Sequence, residues 1–274
     1  MNELHFGTAG IPTITNGNTF DGIKKVKKLN LNAMELEFVR SVNISKEKAP
    51  LVKQVAKEND IILTSHASYF INLNSSESIK LKASKERILN SARISYLCNG
   101  YSVCFHSGYY LNEEKNKVYE KVKQQIKEIV NILRNEGNKI WIRPETTGKF
   151  TQFGDLDEAI KLSQEIEQVL PCVDFAHMHA KGGKFNTYNE FISILEKIEK
   201  GLGKEAIKNM HIHVSGIDYG LKGEKKHLNL KDSDLNYKDL VKAWKDFNIK
   251  GVVISESPNI EADALLLKDL YQKG

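Results

Sequence analysis

Cysteine is scarce in this 274-residue chain, and what there is does not pair up. Cys98, Cys104 and Cys172 are odd in number and form no Cys-x-x-Cys motif. Their spacing argues against a disulfide framework and against a thiolate zinc site, and it fits a reducing cytoplasm. No apolar run approaches the roughly 20 residues that cross a bilayer, so no membrane partner is expected. The first residues lack a basic patch followed by a long apolar segment, which argues against an export signal. No Gly-x-Gly-x-x-Gly follows the first strand-like run, as a dinucleotide-binding sheet would require. No Pro- or Ser-rich linker or shift in composition divides the chain, so residues 1–274 are expected to form one domain. Forty Lys and Arg against 35 Asp and Glu leave a formal charge of +5. That balance permits a polyanionic partner without demanding one. The basic run at 24–28 falls on a predicted helix and reads as a solvated face. The run at 222–226 lies in a predicted loop beside His227 and is the more informative.

Hydrophobic residues make up 41% of the chain and charged residues 27%, ordinary usage for a globular protein. Runs rich in β-branched and apolar residues recur at 4–7, 33–38, 61–66, 102–106, 139–145, 172–175, 210–214 and 251–256. Each is followed by a segment with apolar residues at helical spacing. Val118, Val122, Ile126, Ile129 and Leu133 form one such stripe, and Phe191, Ile192, Leu195 and Ile198 another. Eight β–α units in about 250 residues predict a (β/α)₈ TIM barrel, whose active site lies where the strands end. An open doubly wound sheet is the competing architecture.

The polar residues that a buried strand should not contain sit at those ends: His66, His106, Glu145, Asp174, His213 and Glu256. Taken singly, each has a structural explanation, such as a hydrogen-bonded histidine or a helix-capping carboxylate. Barrel closure would gather all of them into one mouth. Three carboxylates there would repel one another and take up protons unless positive charge lay between them, and divalent metal supplies it. Imidazole and carboxylate without thiolate suit zinc, manganese or iron. His177, three residues after Asp174, and His227 extend the set. Strand alternation points both His211 and His213 inward and leaves open which is the ligand. His5 and His179 read as structural.

In chain order, the segments Ser65-His66-Ala67-Ser68-Tyr69-Phe70-Ile71-Asn72-Leu73, Phe105-His106-Ser107-Gly108 and Pro144-Glu145-Thr146-Thr147-Gly148 are followed by Val173-Asp174-Phe175-Ala176-His177, Met210-His211-Ile212-His213, His227 and Ser255-Glu256-Ser257-Pro258. Together they resemble the endonuclease IV family of metal-dependent AP endonucleases, within the xylose-isomerase-like TIM barrels. The resemblance implies a site of two or three zinc ions. His66 and His106 would hold the first ion, and Glu145 would bridge it to a second held by Asp174, His213 and Glu256. His177 and His227 would hold the third. Glu145 and Glu256 are thereby the candidate catalytic carboxylates.

The family pattern also carries an aspartate two residues before His227, where this chain has Lys225. Either Glu224 substitutes through a shift of the loop, or the third ion is weak or absent and Lys225 acts as a point charge on the phosphate. Tyr69 matches an aromatic that holds DNA in the family, and also reads as mouth packing. Arg40, Lys149, Gln152 and the lysines of 222–226 are further candidates for phosphate contact.

The implied reaction is hydrolysis of the phosphodiester 5′ to an abasic site in damaged double-stranded DNA, by a monomer in the cytoplasm. A sugar or sugar-phosphate isomerase or epimerase on the same barrel is the runner-up, because loss of the third ion moves the site towards that chemistry. A metal-free binding barrel would leave the carboxylates uncompensated.

Overall fold

Each of the eight apolar runs becomes a parallel strand in the computed structural model, which describes residues 1–273. The strands are β1 (Leu4–Ala9), β2 (Ala33–Glu37), β3 (Ile62–His66), β4 (Ser102–Phe105), β5 (Trp141–Pro144), β6 (Cys172–Asp174), β7 (Met210–Val214) and, after a hairpin described below, β10 (Gly251–Ser255). They pair in the order β5-β4-β3-β2-β1-β10-β7-β6. The two ends of that order meet through the parallel bridges Ile142↔Val169 and Glu145↔Cys172, so the sheet curls into a nearly closed barrel.

The helices between strands are α1 (Thr19–Lys28), α2 (Ala49–Glu58), α3 (Ser78–Leu97), α4 (Lys115–Asn135), α5 (Leu156–Glu165), α6 (Phe175–Ala180), α7 (Tyr188–Leu202), α8 (Lys204–Ile207), α9 (Tyr237–Asp246) and α10 (Glu261–Lys273). Capping boxes start three of them, through Asn18 with Asp21, Asp155 with Glu158, and Thr187 with Glu190. The predicted stripe of α4 is buried throughout. On α7 the inner face is Phe191, Ile194, Leu195 and Ile198 rather than one including Ile192, which is only half-buried. In α1 the lysines at 24, 27 and 28 are exposed while Ile23 and Val26 are buried, as a solvated face requires.

Two differences from the sequence reading bear on the mouth. Strands β4, β5 and β10 each end one residue early, so His106, Glu145 and Glu256 stand just beyond the ladder. The segment read as a loop after the seventh strand is an antiparallel hairpin, β8 (Gly216–Gly220) and β9 (Gly223–Leu228). It folds over the mouth, and β9 begins against the β5–α5 loop through the bridge Lys149↔Gly223. No helix among the described residues is long and apolar enough to cross a membrane.

Candidate metal centre

Glu145 is the hub of the mouth. Its side chain is fully enclosed, and four imidazoles surround it. His66 Nε2 lies 3.2 Å from Oε2, His106 Nε2 3.7 Å from Oε2, His213 Nδ1 3.2 Å from Oε1 and His177 Nδ1 3.4 Å from Oε1. His66 Nδ1 faces the Ala67 carbonyl at 2.7 Å. Donation of that N–H leaves the Nε2 lone pair directed at the hub. Asp174 has a double duty. Its Oδ1 accepts the His177 backbone N–H at 2.6 Å and so starts α6, while Oδ2 is buried with no hydrogen-bond partner. His213 Nδ1 also lies 3.4 Å from Glu256 Oε1. Ligand atoms of Glu145, Asp174, His213 and Glu256 all fall within 4.8 Å of one another, as do those of His106, Glu145 and His177.

His211 also points into the barrel but lies one layer deeper, with Nδ1 3.0 Å from Ser102 Oγ and Nε2 3.1 Å from Glu35 Oε2. Of the two histidines on β7, His213 is the one the fold brings to the mouth carboxylates.

A third group of His177, Glu224 and His227 forms under the hairpin, again with ligand atoms within 4.8 Å. Glu224 and His227 are three residues apart, a spacing that puts side chains on opposite faces of a regular strand. A β-bulge resolves the conflict: Tyr219 pairs with Glu224 and Asp218 with Lys226, leaving Lys225 as the extra residue. Lys225 Nζ is held 3.4 Å from Asp218 Oδ1 on the exposed side of the hairpin and does not line the mouth. Glu224 is fixed by its backbone N–H donating to the Gly148 carbonyl at 2.9 Å. Gly148 must be a glycine for this to happen, since a Cβ there would stand 2.7 Å from Glu224 Cβ and 3.1 Å from His177 Cδ2.

Donor directions test whether this group fits a cation. His177 Nδ1 faces the Thr146 carbonyl at 3.0 Å and His227 Nδ1 the Glu256 carbonyl at 3.1 Å. With both N–H groups donated to backbone, the two Nε2 lone pairs meet at 3.4 Å, and Glu224 Oε2 is 3.6 Å from His177 Nε2. A proton on one Nε2, opposed by burial but favoured on His177 by the charges of Asp174, Glu145 and Glu224, relieves the repulsion in the metal-free protein, and a cation would take its place; two imidazoles with a carboxylate are a zinc-class donor set.

In the metal-free mouth the histidines themselves carry the charge that offsets the carboxylates, with the pKa values of His66, His177 and His213 all raised. Burial opposes ionisation of Glu145, yet the neighbouring His106 and His213 hold its carboxyl well below the ordinary range. Burial would lower the His66 pKa, but the hydrogen bond and charge of Glu145, with Glu37 and Glu35, carry it up to about 10. Burial brings His106 down to about 4 and pushes Glu256 up.

Two residues on β2 escaped the sequence reading. Glu35 is fully buried against His211 and His213. Glu37 ends the strand with Oε1 enclosed and unpartnered, and burial followed by the charge of Glu35 pushes its carboxyl up to about 8. Their signal was two acids at spacing i, i+2 in an apolar strand, which must share the inner face.

The mouth opens as a cavity of about 230 Å³. Tyr69 stands at its rim, 59% exposed and edge-on to His66 at 5.6 Å between ring centres, and Lys149 and Gln152 line it. Arg40 instead lines a larger cleft of about 970 Å³ between the β2–α2 loop and α3, which holds none of the candidate ligands. His179, bound to the Lys184 carbonyl and Asp234, and His5, beside Glu3, lie outside every group.

Residues 23–271 match the model of the family described as xylose isomerase-like TIM barrel. An uncharacterized protein of Methanocaldococcus jannaschii is 47% identical over 271 residues, covering 98% of this chain and 97% of that protein. A probable endonuclease 4 of Mycoplasma pneumoniae is 25% identical over 199 residues, 71% of this chain and 67% of its own length. Among solved structures, endonuclease IV from Thermus thermophilus superposes with a TM-score of 0.75 at 17% identity, covering 99% of this chain and all of that one. A D-tagatose 3-epimerase-like protein superposes with a TM-score of 0.74 at 18% identity, covering 97% of this chain and 96% of the other. These two share the fold. The match over residues 23–271, on a nearly closed barrel of eight parallel strands, places the chain in the xylose isomerase-like TIM barrel family.

Proposed function

We propose that this protein is a metal-dependent AP endonuclease that hydrolyses the phosphodiester 5′ to abasic sites in double-stranded DNA, leaving a 3′-hydroxyl and a 5′-deoxyribose phosphate. The observation that carries this reading is the overlap of four ligand groups in the mouth, with Glu145 shared by three (with His66 and Cys104, with His106 and His177, and with Asp174, His213 and Glu256) and His177 by two. Such an arrangement suits a cluster of two or three ions rather than a single one. Clustered divalent cations, zinc being the best fit to the donors, would supply Lewis acidity and offset charge on both the attacking and leaving oxygens of a phosphodiester. Glu145 would join two ions. Asp174, His213 and Glu256 would complete one, His66 and His106 another, and His177, Glu224 and His227 the third.

The remaining parts of the mouth serve selectivity. A volume of about 230 Å³ is too small for a stacked base pair and admits an extruded sugar-phosphate, which is cheapest to turn out where pairing is already lost. Tyr69 offers a ring face to the neighbouring nucleotide, and Lys149 and Gln152 offer donors to phosphate.

The test is nicking of a duplex with one abasic site by chelator-stripped protein reloaded with zinc, manganese or iron, paired with metal analysis. Nicking 5′ to the lesion, lost in Glu145→Gln, is expected. A second reading, a sugar or sugar-phosphate epimerase, draws on the group of Glu145, Asp174, His213 and Glu256, which is by itself a one-ion site with carboxylates to move a proton. Turnover of ketoses by a reloaded protein that leaves abasic DNA intact would overturn the nuclease reading in its favour.

A further inference from the structure

The barrel interior directly beneath the mouth is polar, where barrels ordinarily stack bulky branched side chains. Glu35, Cys104 and Cys172 come from alternate strands β2, β4 and β6, His211 and His213 come from β7, and none has measurable exposure. Ligand atoms of Cys104, Cys172, His211 and His213 all lie within 4.8 Å of one another. His213 Nε2 is 3.6 Å from Cys104 Sγ and 2.9 Å from Glu35 Oε1, and His211 Nε2 is 3.1 Å from Glu35 Oε2. Despite these short separations, Glu35 Oε1 and His211 Nε2 have no hydrogen-bond partner, because the groups are not aligned on one another. The other nitrogen and oxygen atoms of the cluster are paired, with Thr64 Oγ1 donating to Glu35 Oε2 at 2.8 Å, and Cys104 Sγ is within reach of Glu35 Oε2, the Ser65 carbonyl and His213 Nε2, so the unpartnered atoms are confined to Glu35 Oε1 and His211 Nε2. Zinc with Zn–S of about 2.3 Å and Zn–N of about 2.0–2.1 Å places tetrahedral neighbours roughly 3.3–3.8 Å apart.

A second observation comes from Arg143, the register partner of Cys104. It is 1% exposed, and its guanidinium donates to the Pro171 and Asn209 carbonyls, the Asn209 side chain and the Tyr101 hydroxyl. Among the described residues it has no carboxylate partner. A buried cation without a counter-charge is costly. Cys104 and Cys172 would supply that counter-charge as thiolates, a form that burial opposes at Cys104 and that coordination to a divalent ion would stabilise.

We propose that Cys104, Cys172, His211 and His213 form a second, thiolate-containing site for a divalent ion of the zinc class, one layer below the mouth. Sequence spacing hides it, because the two cysteines are 68 positions apart and only barrel closure brings them together. His213 lies between the two levels, with Nδ1 towards Glu145 and Glu256 and Nε2 towards the thiols. A neutral imidazole has a single lone pair, so His213 would serve the inner ion and a mouth ion together only as a bridging imidazolate, with its second proton released to solvent; as a neutral ring it serves one of the two. The proposal is independent of the DNA reading, since it concerns metal and sulfur alone.

Cadmium and cobalt are the probes, titrated into the chelator-stripped, reduced full-length protein. Thiolate-to-metal charge-transfer absorption should appear and, with the mouth also taking up ions, level off at the intensity of one two-thiolate site. It should vanish in Cys104→Ser and in Cys172→Ser, each of which should retain one zinc fewer per chain. Cys98→Ser should keep the band, because Cys98 caps the end of α3 away from the cluster. Should the serine variants fail to fold by circular dichroism, zinc X-ray absorption on the wild-type protein decides, with sulfur neighbours expected at about 2.3 Å. Absence of a thiolate band at saturating cadmium, or zinc with only nitrogen and oxygen neighbours, would overturn the site whether or not abasic DNA is cut.

Discussion

Deleting Lys225 is expected to leave the metal group under the hairpin intact, whereas Glu224→Ala should dismantle it. The reason lies in the ladder. Tyr219 faces Glu224 and Asp218 faces Lys226, so excising the bulged residue leaves two regular antiparallel strands with consecutive partners. Glu224 and His227 would then be two positions apart and would share a face without a bulge. The interaction lost is the pair between Lys225 and Asp218, whose side chains are 59% and 38% exposed, worth at most about 1 kcal/mol. Glu224→Ala removes one of three ligands. Changes to groups that merely support a ligand already weaken metal binding about 10–100-fold, so the loss here should be at least that, or about 1.4–2.7 kcal/mol and upward. Competition of each variant with a chromophoric zinc chelator measures the difference, and thermal melts confirm that both are folded. If the deletion loses the ion as completely as Glu224→Ala, the bulge is not what presents Glu224. If Lys225→Ala alone lowers nicking without changing metal content, the lysine contributes a charge that its position beside Asp218 does not explain.

Three further outcomes follow from the same geometry. Glu145→Gln should bring abasic-site nicking to background with native circular dichroism, because a neutral amide cannot hold two cations together; a variant that retains activity would rule out the bridging role. Gly148→Ala should press on Glu224 and His177, costing about 1–3 kcal/mol and at least one bound ion, and zinc content equal to wild type would show that the loop yields instead. In the metal-stripped protein, stability should fall as pH rises from about 6.5 to about 10. Folded Glu37 keeps its proton to about 8 against 4.5 when unfolded, and folded His66 keeps its own to about 10 against 6.5, so the folded state holds the extra protons that alkali removes. His106 and His211, lowered to about 4, act in the opposite direction only below 6.5. Thermal midpoints across this range test the sign, and Glu37→Gln should flatten the slope below about pH 8; a midpoint that rises towards pH 10 would contradict both assignments.

The barrel was legible because its signals are local. A buried parallel strand needs an apolar run and an outer helix needs a stripe at period 3.6, and both are written within a dozen residues. For the same reason His66, His106, Glu145, Asp174, His213 and Glu256 stood out, each a polar residue where an apolar run stops. The residues at the ends of successive strands could be grouped because closure of a barrel is implied once eight units are counted.

What the chain alone left open depended on pairing between distant segments. Whether 216–228 is a loop or a hairpin is decided by a ladder, and the face on which Glu224 emerges is decided by a single bulge in it. His211 and His213 have the same parity along β7, and only depth in the barrel separates the one beside Glu35 from the one beside Glu145 and Glu256. Cys104 and Cys172 read as isolated thiols until strands β4 and β6 bring them to one level. Periodicity along a chain fixes which way a side chain points from its own element; which other groups it then meets is set by strand register and barrel closure, and those exist only in the folded chain.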